Sequence, residues 1–160
     1  MKFVVDTNKI VACLLKDGKV RRLFFSPFLD LYTHPYAIEE IRSYKNEFLK
    51  KISNQAFDFI LNKAASKLNF VSFLPEDEEY LKTARSVAKD FDFDDYPFIA
   101  LAMKLGIPIW TNDKQMIIYG LKTRKYIALD TKAIEELIKG KQLEEVLENL
   151  KRRYLTSRNT

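Results

Sequence analysis

Four carboxylates stand out by where they fall in the chain. Asp6 follows directly on the apolar run KFVV, and Glu40 lies in a stretch of helical periodicity. Asp95 stands just before the apolar run PFIALAMKL, and Asp113 follows IPIW and the pair Thr111-Asn112. If the strands ending at Val5 and Trp110 are neighbours, the four acids converge on one spot. Like charges brought together repel, so such a cluster persists when a cation neutralises it. The chain has one Cys, Cys13, and one His, His34, too few for a Cys-rich or multi-imidazole zinc centre. A donor set made only of oxygens selects Mg²⁺ or Mn²⁺.

Each acid also has a plainer role. Asp6 suits the N-cap of the helix after it, Asp113 suits a cap at Lys114, and Asp94 or Asp95 suits a cap on the apolar helix. Glu40 suits a solvated helix face. Their joint placement near strand ends, with Thr or Asn beside both Asp6 and Asp113, favours a site.

The elements that must position these groups alternate. Residues 2–5 read as a buried strand, followed by a helix carrying Ile10, Val11, Leu14 and Leu15. A second helix is expected over 20–25 and a strand over 31–33. One long helix is expected from Pro35 through Phe48 and Leu49, and another over 54–68. A third strand is expected over 70–74, then a helix over 76–90 with acids at its start. The apolar helix over 95–105 ends at Gly106. Strands over 107–110 and 126–129 and helices over 132–139 and 143–154 complete the pattern. Alternating strands and helices define an α/β class with a parallel sheet. In such sheets, ligands bind outside the carboxyl ends of the strands, where the strand order reverses.

The chain of 160 residues shows no linker, repeat or composition break, so one domain over 1–160 is expected, with helices from about 131 packed on it. Apolar residues make up 47% and charged residues 31%, which excludes a disordered chain. The 27 basic against 22 acidic residues leave a net charge of +5, which suits a polyanionic partner. No apolar run approaches the ~18 residues that span a bilayer, so no membrane partner is expected. Asp6 interrupts any leader-like stretch, and a lone buried-type thiol suits a reducing compartment; a cytoplasmic location is expected.

The segments VVDTNKIVACLL, AIEEI and DDYPFIALAMKLGIPIWTND together resemble the PIN-domain nucleases. The likeness is greatest to the VapC-type toxin branch of toxin–antitoxin pairs and covers roughly residues 2–129. Its most specific part is Asp95-x-Pro-Phe-x-Ala-Leu-Ala with Trp-Thr-x-Asp113 eighteen residues after the first acid. The resemblance implies a three-layer α/β/α domain around a central parallel sheet of about five strands. It implies Mg²⁺- or Mn²⁺-dependent cleavage of RNA, an antitoxin protein as partner and a homodimer. Asp6, Glu40, Asp95 and Asp113 fall on the family's four acids, and Asn8 and Thr111 on its supporting polar positions. Glu39 competes with Glu40, and Asp92 and Asp94 compete with Asp95.

Asp6, Asp95 and Asp113 are therefore expected to ligate the metal. Glu40 is expected to act on water or help hold a second ion, and Asp92 is a further candidate for that ion. Thr111 and Asn8 are expected to orient the carboxylates. Among Asp92, Asp94 and Asp95, Asp94 is expected to cap the helix. Phosphate contacts are sought among Lys16, Lys19, Arg21, Arg22, Arg42, Lys45, Lys122, Arg124 and Lys125, and base stacking at Tyr44, Tyr96 and Tyr119. The apolar segment of Leu23, Phe24, Phe25, Phe28 and Leu29 suits core or, by the resemblance, a dimer or antitoxin face. Cys13 and His34 suit structural roles. The competing function is a non-catalytic PIN-like module that binds RNA or protein. A phosphoryl-transfer domain is disfavoured because no G-x-x-x-x-G-K loop is present.

Overall fold

The computed structural model describes residues 1–156. Phe3, Val4 and Val5 are buried, which suits β1 (Lys2–Val5) to the middle of a sheet covered on both faces. On one side β1 pairs with β2 (Asp30–Thr33), which pairs with β3 (Leu68–Phe70). On the other it pairs with β4 (Ile109–Trp110), which pairs with β5 (Ala128–Leu129). All four pairings are parallel, in the order β3-β2-β1-β4-β5. The order reverses between β1 and β4, where Val4 faces Ile109 and Val5 faces Trp110. The condition for convergence of the acids, neighbouring strands before Asp6 and Asp113, is met.

Helices flank the sheet. α1 (Thr7–Leu15) packs on α2 (Lys19–Phe24), on α3 (Tyr36–Ser43) and on α5 (Asn54–Lys67). α6 (Glu78–Ala88) packs on α7 (Tyr96–Leu105), which lies against β1 and β4. Right-handed crossovers to the two sides of β1 put these two groups on opposite faces. In α7, Pro97, Phe98, Ile99, Ala100, Leu101 and Ala102 are all buried. Each large side chain among them contributes about 1.5–3 kcal/mol by leaving water, so the start of α7 is held firmly. Gly106 ends this helix at φ 67°, a conformation that L side chains rarely adopt.

α8 (Lys114–Thr123) connects β4 to β5 and has no counterpart in the sequence pattern read above. Met116, Ile117 and Gly120 form its buried stripe. Gly120 is where α8 meets Tyr126: a Cβ there would lie 2.9 Å from the ring. α9 (Thr131–Ile138) and α10 (Leu143–Tyr154) pack on each other, and α10 also packs on α8. Asp130 ties them to the end of β5. Its Oδ1 accepts from Ala133 N and from Arg153 Nη2, both at 2.8 Å, and its Oδ2 accepts from the Tyr154 hydroxyl at 2.8 Å.

Two expected elements differ. The long helix breaks at Tyr44 (φ −102°, ψ 15°) into α3 and α4 (Lys45–Phe48). The Ser43 hydroxyl donates to the Glu40 carbonyl at 2.7 Å, while Tyr44 N turns to Ile41 O. A side chain that occupies a helix carbonyl competes with the next turn. The third strand is earlier than residues 70–74. β2 ends at Thr33, so after Val71 N donates to Thr33 O the chain has no further ladder to join.

The segment Leu23–Leu29 is largely core: Phe24 and Leu29 are fully buried, and only Phe28 is widely exposed. Cys13 is buried, and burial pushes its thiol up to about 11. His34 accepts from Tyr36 N at 3.1 Å and stacks on Phe73. Both roles are structural. No helix among the described residues is long and apolar enough to cross a membrane.

Candidate active site

Asp6 ends β1 and starts α1. Its Oδ1 accepts from Lys9 N at 3.0 Å, so it is the N-cap of the helix. Its Oδ2 accepts from the Thr111 hydroxyl at 2.6 Å. Thr111 follows β4, and its Oγ1 also accepts from Asp113 N at 3.0 Å. Asp113 in turn caps α8, its Oδ1 accepting from Gln115 N and Met116 N. Capping and site-building are thus compatible: the helix caps fix both carboxylates in place. Thr111 is fully buried, and its hydroxyl links the ends of neighbouring strands.

A cleft of about 180 Å³ lies at these strand ends. Asp6, Thr7 and Asn8 line it from the start of α1, and Glu40 and Tyr44 from α3 and its break. Asp92, Asp94, Asp95 and Phe98 line it from the turn and helix opposite. Asp113 is not in the lining, yet its charge bears on both Asp6 and Asp95. Glu40 is half-buried and Glu39 is exposed. The Tyr36 hydroxyl faces Glu40, whose hydrogen bond and charge hold the phenol above its usual range.

The acidic segment differs from expectation in one respect. Asp92, not Asp94, is the cap: its Oδ1 accepts from Asp94 N at 3.1 Å and starts a 3-10 turn over Phe93–Asp95. Asp92 precedes that turn with extended backbone, the conformation a cap needs.

Charge in the cleft is unbalanced. Burial raises the Asp6 carboxyl, while hydrogen bonds from Thr111 and Lys9 lower it. Burial first, then the charges of Asp92, Asp6, Asp113 and Glu40, push Asp95 up to about 8. Among the described residues no three acids, His or Cys stand close enough together to hold an ion as they are. Lys9 offsets part of this charge at Asp6, but carboxylates that repel one another do not draw into a closed shell without a cation among them. Two further observations suit a ligand. The Thr7 hydroxyl, at the cleft wall, is buried with no hydrogen-bond partner, an arrangement that calls for a missing partner. The donor set is entirely hard oxygen, which fits Mg²⁺ or Mn²⁺.

The sequence reading passed over Lys9. It is buried, lies 5.5 Å from the Trp110 ring centroid and donates to Thr131 Oγ1 at 3.4 Å. Burial lowers its ammonium, against the raising effect of Asp6 and Asp130. Nothing in its type or spacing distinguishes it from a solvated lysine. Several expected phosphate contacts are engaged elsewhere. Arg21 donates to the carbonyls of Cys13 and Leu14 at the end of α1, and Lys45 pairs with Asp58. Tyr96 packs on Phe93 and lies under Arg85, and Tyr119 packs on Phe91. Of the three tyrosines expected to stack bases, Tyr44 alone lines the cleft.

A family model described as PIN domain matches residues 4–151, and the chain belongs to the PIN-domain family. Members of this family are generally metal-dependent nucleases, and the five-stranded parallel sheet flanked by helices is that fold. No curated protein sequence matches the chain.

Proposed function

We propose that this protein is a metal-dependent endoribonuclease, with Asp6, Glu40, Asp95 and Asp113 as its catalytic acids. One observation carries the proposal. Asp6, Glu40 and Asp95, from three separate segments, line one cleft, and Asp95 has no hydrogen-bond donor among the described residues to offset its neighbours' charge. A binding module for RNA has no use for carboxylates that repel phosphate.

Asp6, Asp95 and Asp113 would hold Mg²⁺ or Mn²⁺, with Asp92 adding a donor for a second ion. When bound, the ion supplies positive charge to the phosphoryl oxygens and makes water a better nucleophile. The chain's own groups do the rest. Thr111 keeps Asp6 and Asp113 oriented through its single hydroxyl. Glu40, steadied by Tyr36, accepts a proton at its carboxylate from the attacking water. Asn8, exposed at the rim of the cleft, makes no hydrogen bond to the acids among the described residues, which leaves its amide for the strand.

The narrower assignment, a toxin neutralised by an antitoxin protein and acting as a homodimer in the cytoplasm, is supported by the motif resemblance. The test is cleavage of an RNA oligonucleotide by purified protein. Activity is expected with Mg²⁺ or Mn²⁺ and none in excess chelator; full activity in chelator would end the proposal. Growth arrest on expression of the parent but not of Asp95→Asn is the result expected of a toxin.

A further inference from the structure

An acidic cleft repels the phosphates of the strand it is proposed to cut, so affinity for that strand must come from cations outside it. Many of the chain's cations are already engaged. Arg21 is held by carbonyls, and Lys45, Arg85, Lys104 and Arg153 are paired with acids.

A second depression, a trough of roughly 730 Å³, lies between the start of α2 and α9. It opens at Asn112, the residue next to Asp113. Lys19, Lys132, Lys139 and Lys141 line it. Its two acids are already matched. Glu135 pairs with Lys19 at 3.3 Å, and buried Glu136 is held by Lys141 at 3.6 Å, Arg153 at 3.5 Å and the Asn149 amide at 2.9 Å. Among the described residues, Lys132 and Lys139 have no acidic partner within ion-pair distance, and both are exposed. Seven residues apart, at the two ends of α9, they share one helix face about 10 Å apart. The trough is thus net positive; its Asn112 end lies next to Asp113, and its Lys141 end reaches toward Met1 and Pro108.

We propose that this trough is the track of the RNA strand beside the acidic cleft, with Lys132 and Lys139 contacting its phosphates. The proposal rests on the nuclease reading for its choice of ligand. Arg124 and Lys125 do not share the role: they border a different depression, with Tyr126 and Pro108, at the strands' amino ends.

The experiment measures binding of a mixed-sequence single-stranded RNA oligonucleotide in chelator, across a range of salt. Three proteins are compared: the parent, Lys132→Gln/Lys139→Gln, and Arg124→Gln/Lys125→Gln. The last two lose the same charge from exposed positions. The first double variant should bind more weakly, with a log–log salt slope shallower by about 1.4, or ~0.7 per lost contact to a single strand. The second should keep the parent's slope. An unchanged slope in the first variant, an equal loss in both, or no binding by the parent overturns the track. Cleavage of the same oligonucleotide in Mg²⁺ is read separately. A parent that binds as described but never cleaves defeats the nuclease reading and leaves the track standing. A parent that cleaves while the first variant binds unchanged does the reverse.

Discussion

The Thr111 hydroxyl donates to Asp6 Oδ2 at 2.6 Å, joining residues 105 positions apart in the chain. The same oxygen accepts from Asp113 N, so one threonine sets the positions of two acids beyond the ends of neighbouring strands. Thr111→Val keeps the volume and removes the bridge. Loss of a hydrogen bond to a buried carboxylate should cost about 2 kcal/mol of stability. Mn²⁺ affinity, read by titration calorimetry, should fall about 10–100-fold, and Thr111→Ser should restore most of it. Parent-like affinity in Thr111→Val would show that Asp6 needs no such support.

Glu39 and Glu40 are adjacent in sequence and opposite in setting. Glu40 lines the cleft, while Glu39 is exposed. Glu40→Gln should lower RNA cleavage by roughly 10²–10⁴-fold, the range of a general base, and Glu39→Gln should leave it unchanged. Equal losses in purified, folded variants would contradict this placement.

Asp95 makes the metal-free protein sensitive to pH. Its folded-state carboxyl titrates near 8 and its ordinary value is 3.8, so the folded chain binds this proton more tightly than the unfolded chain. Its contribution therefore favours folding below about pH 4 and is progressively lost as pH rises to about 8. Denaturant unfolding in chelator should show Asp95→Asn gaining stability relative to the parent between pH 5 and pH 8. Mg²⁺ at pH 8 should stabilise the parent more than the variant. Parallel pH curves for the two proteins would remove the basis of this prediction.

Asp92 can be tested without breaking its turn, because Asn caps as well as Asp. Asp92→Asn removes the neighbouring charge that raises Asp95 most, so the Asp95 titration, followed by carboxyl NMR, should move down from about 8. For cleavage the expected order of damage is Asp95→Asn greatest, Asp92→Asn intermediate and Asp94→Asn least. The Asp94 side chain makes no hydrogen bond among the described residues. Greater damage in Asp94→Asn than in Asp95→Asn would overturn the order.

Most of the sheet, and the approach of Asp6, Glu40 and Asp95 to one cleft, were legible because their signals are local. Runs such as KFVV and PFIALAMKL are too apolar to lie anywhere but inside, and an acid beside such a run is conspicuous. The rest was hidden for separate reasons. The third strand stops where β2 turns away at His34, which the residues over 70–74 do not encode. The helix break at Tyr44 comes from the hydroxyl of Ser43, one residue in an otherwise helical pattern. The cap at Asp113 is legible, but the helix behind it shows only a short apolar stripe of Met116 and Ile117, broken by Gly120, so α8 does not stand out from a turn. Lys132 and Lys139 look like any surface lysines until α9 is set against α2.

Because β1 lies between β2 and β4, the order of synthesis matters. As the chain leaves the ribosome, β1, β2 and β3 emerge first and can pair, leaving the flank of β1 that β4 later fills open. Through that interval the nascent chain carries Asp6 and Glu40 but neither Asp95 nor Asp113. Thr111, which fixes Asp6, is also still to come. The acids can assemble only once most of the chain has been made, so a ribosome translating it is not exposed to a finished site until late in synthesis.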